Sequence, residues 1–126
     1  MLYNCFIISI GAIIGALSRY GIFSYFESKH LNFPYHTLIV NLIGCFLIGV
    51  LYEYFSYKTN ISYEMKLFLT TGILSSFTTF SSFALDNGIL MQKGEFLKTF
   101  LYISSSVLLG ILLFFVAIYL TKIILK

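Results

Sequence analysis

Four long apolar stretches, joined by links too short to fold, leave this chain almost no choice of architecture. They run at about 2–26, 33–55, 64–92 and 96–124, each at or above the ~20 residues a helix needs to cross a bilayer core. The links read as turns. Residues 28–34 hold the only proline, 56–62 are polar, and 92–95 barely reverse the chain. No soluble domain, linker or low-complexity segment is left over. The expectation is an all-α membrane protein, one four-helix transmembrane domain over 1–126.

Composition agrees. The chain is 59% hydrophobic and 10% charged, with a mean hydropathy of +0.92, where a soluble domain carries about 25% charged residues. The formal net charge of +3 rests on eight basic residues spread along the chain, so no basic cluster points to nucleic acid. Cys5 and Cys45 lie inside apolar segments, where thiols act as small hydrophobes, and no CxxC or Cys/His spacing points to a metal. The N-terminus has no basic region ahead of its apolar run, so a retained first helix is expected and not a cleaved signal.

Charge placement bears on orientation. With four spans, Lys58, Lys66, Lys122 and Lys126 fall on one side, and Arg19, Lys29, Lys93 and Lys98 on the other. The positive-inside rule therefore has nothing to act on. Such a tie is either chance in a chain with few charges, or the mark of copies that insert both ways and pair antiparallel.

Span one carries Gly11-Ala-Ile-Ile-Gly15, a spacing that lets backbones approach closely. Arg19, costly within a span, either snorkels to the interface or guards a vestibule for anions. In span two, Asn41 either glues helices through its amide or donates to an anion, and Thr37 one turn earlier favours a polar track. Span four has Tyr102, Ser106 and Gly110 at four-residue spacing; Ser106 is a further possible donor.

Span three is the most unusual. From Leu67 to Leu85 it holds eight hydroxyl residues, four phenylalanines and no charge. Hydroxyls and aromatic edges offer partial positive charge without a cation, which suits a small anion that must bind, lose water and leave. As one helix, 64–91 would be ~42 Å long at 1.5 Å per residue, against a core of ~30 Å. The excess, with Gly72 and Ser75-Ser76, favours a break near the middle. A break frees carbonyls that protein, water or an ion must satisfy, and broken membrane helices often hold a small hard cation. The alternative is a tilted rod whose hydroxyls bond back to their own i−4 carbonyls. Beyond a break, Phe80 and Phe83 would share one face, with Thr78, Ser81 and Ser82 opposite.

In order and spacing, Gly11–Tyr20, Thr37–Gly49 and Thr71–Phe83 resemble the small fluoride-exporting channels called Fluc or CrcB, over essentially the whole chain. The resemblance implies an antiparallel dual-topology homodimer in the inner (plasma) membrane, exporting cytoplasmic fluoride passively through two pores. It places the pore asparagine on Asn41, the paired phenylalanines on Phe80 and Phe83, and the polar track on Ser81, Ser82 and Ser106. It also implies a structural sodium ion held by the backbone carbonyls of Ser75 and Thr78 of both subunits. Many relatives have Gly-Gly where this chain has Ser75-Ser76, and serine fits strained backbone less readily. Gly110 supplies no hydroxyl where some relatives carry serine.

Other classes fit less well. A proton-coupled multidrug exporter needs a carboxylate at membrane depth, yet Glu27 and Glu53 sit near span ends and Asp86 lies beyond the polar run. A purely structural subunit would explain the packing motifs but not a hydroxyl-rich, charge-free centre. No nucleophile–base or metal-ligand set points to an enzyme.

Overall fold

The computed structural model describes residues 1–126 as helices joined by short turns, with no strand. They are α1 (Leu2–Glu27), α2 (Tyr35–Tyr57), α3 (Tyr63–Leu67), a π-helical stretch (Phe68–Leu74), α4 (Ser75–Phe77), α5 (Phe80–Gln92) and α6 (Phe96–Leu125). Four spans are long and apolar enough to cross a bilayer, the third being the composite Tyr63–Gln92. Local chemistry sets the ends. Pro34 precedes α2, where its missing N–H breaks no helical bond. Ser62 caps α3 by accepting the Met65 N–H at 3.2 Å. Gly94 turns the chain into α6 at φ +73°, a conformation that glycine reaches without strain.

Span three is interrupted over two residues and bent only slightly. Thr78 (φ −77°, ψ 156°) and Thr79 (φ −150°, ψ 111°) are extended between α4 and α5. Ahead of them the helix widens into π geometry, an arrangement often found near functional sites. Thr78 is thus outside α5, not on a face shared with Ser81 and Ser82 as the helical spacing predicts.

Two contacts organise the bundle: α1 runs along the π-helical stretch and α4, and α2 runs along α6. Glycine makes the first possible. A Cβ on Gly11 would stand 2.7 Å from the Phe68 carbonyl oxygen, and one on Gly15 would collide with the Ile73 carbonyl. Only 18 of 126 residues are buried, and most large apolar side chains point outward. In lipid that surface carries no hydration penalty, so helices associate through close packing rather than apolar burial.

Candidate functional site

The break lies against α2, and the contact is specific. The Asn41 amide brackets the peptide groups of Thr79: Oδ1 accepts the Thr79 N–H at 2.8 Å, and Nδ2 donates to the Thr79 carbonyl at 3.0 Å. Gly44, one turn on, leaves room for the Thr78 methyl, which a Cβ there would strike. Asn41 is therefore glue, as one of its two readings held, yet only one Nδ2 hydrogen is used. The other remains free to donate.

The neighbouring carbonyls are affected in turn. Because the Thr79 N–H turns to Asn41, the Ser75 carbonyl loses the i+4 donor that a continuous helix would supply. The Thr78 carbonyl takes Nη1 of Arg19 in a long hydrogen bond of 3.3 Å. Arg19 thus reaches inward to the break. Ser75 itself has ordinary helical dihedrals (φ −65°, ψ −28°), so serine there requires none of glycine's freedom. Its Oγ donates to the Thr70 carbonyl at 3.1 Å. Back-bonding also occupies Thr70 Oγ1, on the Lys66 carbonyl, and Thr78 Oγ1, on the Leu74 carbonyl.

On the other side of the break, three hydroxyls meet at the start of α5. Thr79 Oγ1 accepts the Ser82 N–H at 3.0 Å as the N-cap, and donates to Ser82 Oγ at 3.0 Å. Ser81 Oγ lies 3.2 Å from the same oxygen. With the Thr79 hydrogen directed to Ser82, Ser81 is the donor of its pair. The Ser82 hydroxyl hydrogen is then left available.

A groove of about 470 Å³ runs beside these residues. It brings together Asn41, Ser75, Thr78, Phe80, Phe83 and Ser106 with Cys45, Thr70, Thr71 and Thr79, and no charged side chain lines it. Ser106 Oγ is buried without a hydrogen-bond partner. The Phe80 and Phe83 rings lie 5.5 Å apart, and Phe83 lies 5.0 Å from the ring of Tyr102. Phe80 is 80% exposed, so the groove is open on its side. Tyr102, fully buried, donates its hydroxyl to Asp86 Oδ2 at 3.0 Å. Thr37 is also fully buried, beside the Tyr102 hydroxyl, but it lies outside the groove, as do Ser81, Ser82 and Arg19.

Sequence reasoning did not place Cys45 or Thr79 at the site, and it did not pair Tyr102 with Asp86. Cys45 stands one turn beyond Asn41 on the same face, and Thr79 is a hydroxyl at a helix start, so spacing and capping rules carried both signals. The Tyr102–Asp86 pair joins two spans and left no local signal. No group of His, Cys, Asp or Glu is placed to hold a metal. Any cation at the break would depend on neutral carbonyls.

Known proteins match along nearly the whole chain. The family model described as "CrcB-like protein, Camphor Resistance (CrcB)" matches residues 6–118. The chain is 43% identical over 110 residues to a protein of Agrobacterium fabrum named fluoride-specific ion channel FluC, covering 86% of this chain and 87% of that one. Relatives of the same name from Parabacteroides distasonis and Oceanobacillus iheyensis are 40% and 37% identical, over 93% and 91% of this chain and 91% and 88% of their own lengths.

Proposed function

The chain belongs to the CrcB family, and from that membership we propose that it is a fluoride-specific ion channel, a multi-pass protein of the plasma membrane that lets cytoplasmic fluoride leave by passive electrodiffusion. One observation carries the residue assignments: the groove beside the break gathers Asn41, Ser106, Phe80 and Phe83 and contains no charged side chain.

Fluoride is small and strongly hydrated, so it gives up water only where several donors replace it in sequence. The free Asn41 N–H and the unpartnered Ser106 hydroxyl are donors of that kind within the groove. The Ser82 hydroxyl, whose hydrogen is available, continues a polar track beside it together with Ser81, whose hydrogen is held by Thr79, and Thr37 continues it along α2. Aromatic rings are positive at the edge, so Phe80 and Phe83 present weak attraction within an apolar constriction. With no Lys or Arg in the groove, no donor traps the ion, and conduction requires binding weak enough to release. Arg19 stands outside the groove, where it attracts anions toward a vestibule. In an acidic setting HF crosses the membrane and dissociates inside, and the anion returns down its gradient. No bond is made or broken, so the protein acts as a conduit and not as an enzyme.

The same reading makes the working unit an antiparallel homodimer. Phe80 is exposed and the groove is open within one chain, so a second copy would close it. For a central sodium ion the break offers two carbonyls: that of Ser75, which has lost its helical donor, and that of Thr78, from which the long Arg19 contact would have to withdraw, because guanidinium and sodium repel. Bound there, sodium would neutralise carbonyl dipoles that lipid cannot satisfy.

Anion efflux from liposomes holding the purified protein tests the function. Fluoride should be lost rapidly and chloride retained. Phe80→Ile and Phe83→Ile should each abolish fluoride flux while the protein still elutes as an assembled dimer. Normal flux in both variants would remove the phenylalanines from the mechanism, and equal flux of the two ions would remove the selectivity.

A further inference from the structure

Helices α2 and α6 approach each other through glycine at two levels. A Cβ on Gly49 of α2 would stand 2.5 Å from the Phe114 carbonyl oxygen of α6. One turn earlier on α2 the roles reverse. Gly110 of α6 is buried, and a Cβ there would stand 3.2 Å from Sγ of Cys45 on α2. That sulfur is the one atom of another helix within 4 Å of the position. The Cys45 side chain therefore takes the space that a side chain at 110 would fill.

This level of the bundle belongs to the groove. Cys45 lines it with Asn41, one turn earlier on α2, and with Ser106, one turn before Gly110 on α6. Asn41 has an N–H to spare, and Ser106 Oγ is buried with no partner. Both suit a ligand that accepts hydrogen bonds. The wall made by α2 and α6 continues with Ile48 and Val107, and Gly110 has no side chain to add. On the span-three side, Thr70, Ser75 and Thr78 spend their hydroxyl hydrogens on carbonyls of their own segment. Cys45 is a half-buried free thiol, and its S–H, a weak donor, is engaged by none of these bonds.

We infer that Cys45 is a further fluoride-binding residue of the groove, its S–H supplying a donor at the level where Gly110 supplies none. The inference rests on the channel reading above and deepens it. An anion leaving Asn41 and Ser106 would otherwise meet an apolar turn with part of its water gone, and an unpartnered ion there is costly. A thiol lowers that barrier without binding tightly, which suits a conduit that must also release the ion. Cys45 and Gly110 act as one unit, because Sγ stands where a side chain at 110 would lie. A hydroxyl delivered from α6 at that level has room only when the thiol is gone.

Fluoride efflux from liposomes and the melting temperature of the purified protein, read together, separate a donor from a space-filler. Cys45→Val keeps an apolar group of comparable size and removes the S–H. It should lower fluoride efflux by roughly fivefold, the worth of one modest hydrogen bond, with little change in melting temperature. Cys45→Ser keeps a donor and should lose less. Cys45→Ala empties the space and should lower both readings. Adding Gly110→Ala to it refills the space without a donor and should restore the melting temperature alone. Adding Gly110→Ser instead should restore efflux as well, and these double variants keep the test open even if Cys45→Val does not assemble. Full efflux in Cys45→Val, or equal efflux from the two double variants, would overturn the inference and leave the thiol a packing group. No fluoride efflux from the parent protein would instead remove the channel reading, and the role of Cys45 with it.

Discussion

Asn41 shows how much one side chain does at this break. Its amide satisfies both the N–H and the carbonyl of Thr79, 38 positions away, where two extended residues have left the helical ladder. An unsatisfied buried backbone group costs about 1–3 kcal/mol. Asn41→Ala bares two such groups, so the purified variant should melt well below the parent and pass no fluoride. Asn41→Asp keeps the acceptor for Thr79 N–H but sets a carboxylate oxygen against the Thr79 carbonyl. It should fall between the two in stability and still pass no fluoride. A thermal scan showing Asn41→Ala as stable as the parent would contradict the clamp. That a lone asparagine in span two mattered was legible in the sequence. That it is half committed to Thr79 was not, because the commitment depends on where two distant helices touch. Arg19 teaches the same lesson, since its contact with the Thr78 carbonyl spans 59 positions.

The α1 helix and the wide stretch of span three form a backbone-to-backbone contact. Gly11 and Gly15 on α1 face Phe68, Gly72 and Ile73 across it. Gly15→Val would drive a branched side chain into the Ile73 carbonyl, and overpacking of this kind costs about 1–3 kcal/mol. Gly21→Ala, where a Cβ meets nothing within 4 Å, is the matched control and should leave the melting temperature unchanged. Equal melting of the two variants would mean that the helices do not approach this closely. The four spans were readable from apolar length alone, with ends within one or two residues of those observed. The break was expected from excess length and hydroxyl density, and it takes the form of two extended threonines with only a slight bend. The π geometry of Phe68–Leu74 was not readable, because its hydrogen-bond register answers to the glycine face packed against it.

At the scale of the molecule, the charge tie between the two faces supports insertion in both orientations. A reporter on the C-terminus should therefore be detected on both sides of the membrane. Detection on a single side would exclude the antiparallel homodimer and require a second chain of opposite bias. The proposed sodium site is tested on the same protein: replacing sodium with N-methylglucamine should lower its melting temperature, and no change would argue against an ion at Ser75 and Thr78. Membrane residence, four helices, a weak point in the third and an uncharged polar run there were all legible in the sequence, because each follows from local composition and chain length. Which hydroxyls and amides remain free to meet an ion depends on contacts between residues far apart in the chain. Asn41 with Thr79, Arg19 with Thr78 and Tyr102 with Asp86 exist only once glycine-to-backbone packing has set the helices against one another, and that packing leaves Ser106 Oγ without a partner and one Asn41 N–H unused, both residues lining the groove.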